Sequence, residues 1–208
     1  MLAIIDYGSG NLRSVAKAFE RVGDGREVAV VQDAGALEKA SHIVLPGVGA
    51  FADCMAGLAA LPGMLEALEE QVRGQGKWFL GICVGMQMLF ERGHEHGVHN
   101  GLGWLKGEVV PLKPEGAALK IPHMGWNTLE LAGAHPLLAG IHSGDHAYFV
   151  HSYYAQAGDA ADVLATTNYG QSVTAVVAHG NVMGTQFHPE KSQEAGLKLL
   201  KNFLGMGA

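Results

Sequence analysis

One cysteine of this chain stands in a setting that suits nucleophilic chemistry. Residues 81–85 read Gly-Ile-Cys-Val-Gly and follow an apolar stretch typical of a buried strand. A sharp strand-to-helix turn at such a segment exposes the side chain at its apex, and the flanking glycines leave room for it. The helix N-terminus that follows favours a thiolate, so we predict that Cys83 is a nucleophile and that the amide of Val84 points toward a developing oxyanion. A buried structural cysteine is the alternative, which the five residues alone leave open.

A base for that cysteine stands near the other end of the chain. Residues 184–190 read Gly-Thr-Gln-Phe-His-Pro-Glu. His188 and Glu190 are two residues apart, so their side chains lie on one face of an extended chain, and Pro189 disfavours a helix there. A glutamate so placed can accept the imidazole N–H and leave the other ring nitrogen for the cysteine. By itself the segment is typical of an ordinary loop, but together with Cys83 it predicts a Cys-His-Glu triad.

A glycine-rich segment predicts a second oxyanion donor. Residues 46–51 read Pro-Gly-Val-Gly-Ala-Phe and end a predicted parallel strand, at the sheet edge where ligands bind in open α/β folds. A loop there can turn an amide into the site, although a simple strand-to-helix turn is the alternative. Residues 6–11 only superficially resemble a phosphate loop, because a third glycine and a following acidic residue are missing. We therefore predict no dinucleotide site.

The elements that must position these residues change in character along the chain. In the first half, predicted strands at 2–6, 28–31, 43–45 and 78–82 alternate with predicted helices at 12–22, 35–40, 62–73 and 85–92. Continuous apolar strands alternating with helices predict an α/β fold with a central, mostly parallel sheet flanked by helices.

The second half reads as an added antiparallel section. Short strands are predicted at 109–112, 148–154 and 172–178, and the turn at 179–181 joins the last of them to 182–187 as a hairpin. A polar loop is predicted at 93–101 and a final helix at 193–204. No linker or repeat interrupts residues 1–208, so we predict a single domain.

Composition excludes several classes of protein. The net charge is −6 and lysine and arginine do not cluster, which argues against a nucleic-acid partner. No apolar run is long enough to span a bilayer. Two cysteines make no disulfide framework, so we expect a reducing cytoplasm. His94, His96 and His99 share a glycine-containing loop without a cysteine, so we predict no metal site and no cofactor.

These motifs together resemble the class I (triad) glutamine amidotransferases, whose fold is flavodoxin-like. The pattern of that family is a Gly-x-Cys-x-Gly turn, a Pro-Gly-x-Gly oxyanion strand and a late His-Pro-Glu. Residues 122–127, Pro-His-Met-Gly-Trp-Asn, resemble more closely the branch of glutaminase subunits that serves histidine biosynthesis. The likeness spans nearly the whole chain, in the expected order.

The resemblance implies a role for each matched position. Cys83 would attack the side-chain carboxamide of glutamine, His188 would pass a proton to the departing ammonia, and Glu190 would orient His188. The amides of Val84 and, after rearrangement, Val48 would form the oxyanion hole. The residues that would hold the substrate are Gly49, Gln87, Ser152 and Tyr153.

The resemblance also implies a partner. The predicted domain leaves no room for a synthase module, so ammonia would pass to a separate cyclase subunit with a (β/α)₈ barrel, as a heterodimer. Met124 and Trp126 could equally be core residues. The predicted interface residues are Met124, Trp126, Asn127, Tyr148 and Lys191. The competing hypotheses are another class I glutaminase, a non-catalytic scaffold of the same fold, and a cysteine peptidase or stress-response protein.

Overall fold

The computed structural model describes residues 1–115 and 119–207. Much of it is strand, in segments of two to eight residues. The strands are β1 (Leu2–Ile5), β2 (Val28–Val31), β3 (His42–Gly47), β4 (Trp78–Cys83), β5 (Phe90–Gly93), β6 (His99–Asn100), β7 (Leu105–Pro111), β8 (His123–Thr128), β9 (Glu130–Leu131), β10 (His146–His151), β11 (Tyr153–Ala157), β12 (Val163–Asn168), β13 (Ser172–His179) and β14 (Val182–Thr185).

The helices are short and lie between these strands. They are α1 (Leu12–Val22), α2 (Phe51–Ala60), α3 (Met64–Leu68, continued by a π-helical segment at Glu69–Gly74), α4 (Val84–Gln87) and α5 (Gln193–Leu204). In residues 1–115 and 119–207, no single helix is long and apolar enough to span a membrane. The pair Phe51–Ala60 and Met64–Gly74 meets that test only when taken together across a 95° bend.

One large sheet carries the core. Among the described residues it has eight strands, in the order β2-β1-β3-β4-β14-β13-β12-β9. The first five run parallel, and β13, β12 and β9 extend the sheet antiparallel. Every residue of β1 and β3 is buried, as continuous apolar strands require when both faces are covered. The predicted α/β fold with a mostly parallel sheet is confirmed.

The second half adds two smaller sheets beside the large one. Strands β8 and β10 pair antiparallel, and β11-β7-β5-β6 form a four-stranded sheet. The predicted strand at 148–154 is therefore two strands that belong to different sheets, with Ser152 at the break between them. The hairpin of β13 and β14 and the helix α5 are confirmed.

The helix predicted at 85–92 is wrong beyond Gln87. Residues of Phe90–Gly93 form strand β5, which pairs with β7 and β6. The backbone carbonyls there accept hydrogen bonds from the segment that follows, so they cannot continue the helix. The Leu102 amide donates to the Met88 carbonyl and the Gly101 amide to the Glu91 carbonyl. Smaller differences are a 3₁₀-helix at Ala34–Lys39 in place of the helix predicted there, and strand β6 inside the predicted polar loop.

Candidate active site

Cys83 lies at a sharp turn between β4 and α4. It is the last residue of the strand, Val84 is the first of the helix, and the backbone of Cys83 has φ 56° and ψ −114°. A positive φ is unusual for a residue with a side chain and marks local strain, which is common at functional sites. The predicted strand-turn-helix arrangement is therefore present, and the side chain of Cys83 lines a cavity.

Glycines make the turn possible because backbone segments touch there. A Cβ on Gly81 would lie 2.4 Å from the Gly85 carbonyl oxygen, and one on Gly85 would lie 1.8 Å from the Leu45 carbonyl oxygen. A Cβ on Gly47 would lie 2.5 Å from the Gly85 nitrogen. The Gly-x-Cys-x-Gly spacing thus lets α4 start directly against strands β3 and β4.

The histidine and glutamate form a buried pair. His188 Nδ1 lies 2.9 Å from Glu190 Oε1, with side-chain exposures of 3% and 0%. An acidic oxygen at Nδ1 makes that nitrogen the N–H donor and holds the ring in one orientation. Within residues 1–115 and 119–207, no group stands in hydrogen-bond geometry with the other nitrogen, Nε2, so it is available to a ligand.

The electrostatics of His188 favour a protonated ring. Burial by itself lowers the pKa of His188, but the neighbouring Cys83 and Glu190 side chains outweigh burial and raise it to about 9. Such a shift follows when a cationic imidazole gains anionic partners in a site with little water. At neutral pH the ring therefore holds a proton that it can deliver to a leaving group.

A cavity of about 280 Å³ opens above the cysteine. It brings together eight of the residues predicted from the sequence, which come from four separate parts of the chain, and Glu190 lies buried behind His188. The predicted residues in its lining are Val48, Gly49, Cys83, Val84, Gln87, Ser152, Tyr153 and His188.

The amide of Val48 is engaged outside the cavity. It donates to Ser9 Oγ at 3.4 Å, and the Ser9 hydroxyl donates to the Val48 carbonyl. Gly49 follows with φ 108°, a conformation that favours glycine. Service of Val48 as an oxyanion donor stays a prediction of the family resemblance, and it would require the amide to leave Ser9.

The side chain of Gln87 is buried and its orientation follows from its partners. Its Nε2 donates to the Tyr153 carbonyl at 2.9 Å and to Gln186 Oε1 at 3.0 Å. Both amide protons are thus used within the protein, and Oε1 is left to accept from a ligand. Its 3% exposure excludes a position on a solvated face of the helix.

Two further residues reach the site that the sequence reasoning had not assigned to it. Gln186 Nε2 lies 3.8 Å from Cys83 Sγ. Glu95 comes from the loop after β5, lines the cavity and accepts the Phe51 amide at 2.8 Å. Gln186 could have been suspected from its place two residues before His188, whereas nothing local marks Glu95, because only the packing of its loop brings it there.

The predicted interface residues lie on the second half of the chain. Met124 and Trp126 are 61% and 47% exposed, which excludes the core placement for both. Tyr148 contacts Trp126 edge to face, and Lys191 Nζ lies 5.8 Å from the Tyr148 ring centre. Asn127 differs, because it is half-buried and its side-chain amide donates to His123 Nε2 and to the Asn168 carbonyl.

Other parts of the molecule offer less chemistry. A cleft of about 500 Å³ between β10 and α5 is larger but contains neither Cys83 nor His188. Over the described ranges, no group of three or more His, Cys, Asp or Glu side chains is arranged to hold a metal ion. Cys54 is a buried free thiol, as expected of a packing residue. A cysteine and a histidine that line one cavity, with a carboxylate bound to the histidine, are an arrangement suited to acyl-transfer chemistry.

Comparisons with known proteins agree with this class of enzyme. The sequence profile of the family described as "Glutamine amidotransferase class-I" matches residues 3–206. A solved structure titled "Crystal structure of glutamine amidotransferase" superposes with a TM-score of 0.74, at 20% identity, over 98% of each chain, a likeness that concerns the fold alone.

Relatives of higher sequence identity place the chain in one branch of the amidotransferases. The imidazole glycerol phosphate synthase subunit HisH of Brucella suis biovar 1 (strain 1330) is 56% identical, covering 98% of this chain and 97% of that protein. The same subunit of Mesorhizobium japonicum (strain LMG 29417) is 55% identical with the same coverage. This chain belongs to the class-I glutamine amidotransferase family and, within it, to the family of HisH subunits. The resemblance stated from the motifs is confirmed.

Proposed function

We propose that this chain is the glutaminase subunit of imidazole glycerol phosphate synthase, and that Cys83, His188 and Glu190 are its catalytic triad. The observation that carries the assignment is one cavity lined both by a cysteine with a strained backbone and by a histidine whose Nδ1 is bound to a buried carboxylate. The fold and the full-length likeness to HisH subunits support the pathway.

The first half of the reaction forms a thioester. The Cys83 thiolate attacks the side-chain carbonyl carbon of glutamine, and the negative charge that develops on the oxygen is stabilised by the amides of Val84 and, once released from Ser9, Val48. His188 gives its proton to the amide nitrogen, the C–N bond breaks and ammonia leaves. Glu190 keeps Nδ1 occupied, so that Nε2 is the nitrogen that transfers the proton.

The second half hydrolyses that thioester. Neutral His188 takes a proton from water, the resulting hydroxide adds to the carbonyl carbon, and the C–S bond breaks to give glutamate and the Cys83 thiolate. The imidazolium is thereby regenerated. The net reaction converts glutamine and water into glutamate and ammonia.

The rest of the cavity suits the amino-acid end of glutamine. Gln87 Oε1 and the Glu95 carboxylate are acceptors that fit an α-ammonium group. Gly49, Ser152 and Tyr153 line the same cavity and complete the proposed substrate site. These acceptors would favour L-glutamine over simple amides. A simple amide has no ammonium group, so its binding would leave a buried acceptor without a hydrogen bond, which costs free energy.

Ammonia would pass to a separate (β/α)₈ cyclase subunit in a heterodimer, giving imidazole glycerol phosphate and an aminoimidazole carboxamide ribotide. The exposed Met124 and Trp126, with Tyr148 and Lys191 beside them, support an interface on this face, since exposed aromatic and methionine side chains are typical anchors. Asn127 would act at the edge of that interface. We propose one amidotransferase domain over residues 1–208 and a cytoplasmic location, as two free thiols favour.

The experiment that tests this function is glutamate release by the purified chain, alone and with a cyclase subunit plus its nucleotide ligand. Strong stimulation by the liganded partner would support the two-subunit synthase. High activity of the chain alone, or none with the partner, would keep the triad but assign the chain to another amidotransferase.

A further inference from the structure

Two buried histidines lie between the proposed partner face and the substrate cavity, and the chemistry above uses neither. His123 on β8 and His151 on β10 are directly opposite each other in the register of the two strands. Their exposures are 2% and 6%, and His151 lines the cavity beside Cys83.

The hydrogen bonds of this pair form a series in which each group donates to the next, from Asn127 through the two histidines to the Tyr153 carbonyl. His151 Nδ1 lies 2.9 Å from the Tyr153 carbonyl, which can only accept, so Nδ1 carries the proton and His151 Nε2 is an acceptor. His123 Nδ1 lies 3.0 Å from His151 Nε2 and must therefore donate to it. His123 Nε2 is then an acceptor, and it receives the Asn127 side-chain amide at 3.3 Å.

Packing keeps the chain of bonds in place. The His123 ring is stacked between Phe149, at 4.8 Å between ring centres, and Tyr169, at 4.0 Å. Burial lowers the pKa of His123 to about 4 and that of His151 to about 3, which favours neutral rings at pH 7. In the neutral rings, the hydrogen bonds at Nδ1 select the Nδ1–H tautomer.

The bonds end on the wall that would bind glutamine. The Tyr153 carbonyl receives two donors at 2.9 Å each, His151 Nδ1 from one side and Gln87 Nε2 from the other. Tyr153 begins β11, one residue after the break at Ser152, and it lies opposite Pro111 of β7, while the Ser152 carbonyl accepts the Leu112 amide at 2.9 Å. The two side-chain donors to the Tyr153 carbonyl therefore add to the strand pairing at this point of the wall.

We propose that His123 and His151 are positioning residues that fix the Ser152–Tyr153 wall for glutamine binding through this one-directional series of hydrogen bonds. The inference rests on the proposed glutaminase function. The same hydrogen bonds connect the wall, through the side chain of Asn127, to β8, the strand that carries Met124 and Trp126.

A pair of substitutions at one position tests the role. His123→Phe keeps a flat ring between Phe149 and Tyr169 but removes the donor to His151, whereas His123→Asn places an amide N–H near the lost Nδ1. With the cyclase and its ligand present, we expect the Phe variant to raise the KM for glutamine about tenfold with kcat within about twofold, since one buried hydrogen bond is lost from substrate positioning. The Asn variant should keep the KM within about twofold of wild type.

Two outcomes of that experiment overturn the proposal: a wild-type KM in His123→Phe, or an equal loss in both variants. Nitrogen NMR of the imidazole rings in the wild-type chain gives a measurement that does not depend on a variant folding. Both rings should be neutral Nδ1–H tautomers at pH 7, and an Nε2–H tautomer or an imidazolium at either ring would contradict the proposal. A wild-type chain whose glutamate release is not stimulated by the liganded cyclase would instead count against the proposed synthase subunit and leave the histidine pair to be tested with the partner of another amidotransferase.

Discussion

The two sides of the cavity are built by different physical means. The side that carries Cys83 belongs to the parallel sheet, where Gly81, Gly85 and Gly47 let backbone touch backbone. The opposite side, at Ser152 and Tyr153, lies at the junction of two small sheets, where side-chain hydrogen bonds to the Tyr153 carbonyl add to the backbone pairing with β7.

The difference assigns separate tasks to the two sides. Close contacts between backbone segments fix the turn that carries Cys83, as the proposed chemistry requires. Hydrogen bonds from histidine and glutamine side chains hold the substrate wall and connect it with the strand that carries the exposed Trp126. Substitutions on the first side should therefore abolish chemistry or folding, and substitutions on the second should change binding.

The largest effect is expected at the nucleophile. Cys83→Ala should lower glutamine-dependent synthesis by a factor of about 10⁴ or more, because no thioester can form. Free ammonia should still support the cyclase, and the fold should persist. Synthesis measured with glutamine and with ammonium salts separates the two, and retained glutamine activity would refute the role of Cys83.

A methyl group at the turn should destabilise the fold. Gly85→Ala places a Cβ against the Leu45 carbonyl, so the free energy of unfolding should fall by about 3 kcal/mol or more. Gly133→Ala is the matched control, since a Cβ there meets no atom within 4 Å. Urea unfolding measures both variants, and equal midpoints would show that the turn tolerates bulk.

The protonation of His188 should make stability depend on pH. Its pKa in the folded chain, about 9, lies above its usual value of 6.5, so the folded state holds a proton that the unfolded state loses in this range. The stabilisation is fully present below pH 6.5 and is lost as the pH rises through 9, by up to about 3 kcal/mol.

The comparison for this prediction is His188→Asn. The difference in unfolding free energy between pH 6.5 and 9 should be smaller in the variant than in wild type. An unchanged slope would mean that His188 is neutral in the folded protein, and that proton delivery to ammonia needs another source.

The smallest effect concerns the partner face. Trp126→Ala should weaken the affinity for the cyclase by about 2 kcal/mol, since buried aromatic anchors dominate such interfaces. Val98→Ala, another exposed apolar residue at 63% exposure, is the control. Titration calorimetry of both variants gives the measurement, and an equal affinity would move the interface away from β8.

Residue types and spacing determined the parts of this protein that depend on local rules. Apolar strands alternating with helices specified the parallel sheet, because hydrophobic periodicity follows the local backbone geometry. The glycines around Cys83 specified the turn, because only a residue without a Cβ fits where the backbone segments touch. The proximity of His188 and Glu190 was predicted for the wrong reason: the chain is not extended there, because Pro189–Lys191 forms a 3₁₀-helix that begins after His188 and brings the Glu190 carboxylate to Nδ1.

Only the tertiary structure decided the features that depend on distant partners. The segment at Phe90–Gly93 is a strand because later residues pair with it, and Glu95 reaches the cavity because its loop packs on α2. The histidine pair arises from the register of β8 with β10. Such contacts join residues far apart in the chain, so neither periodicity nor spacing along the sequence records them.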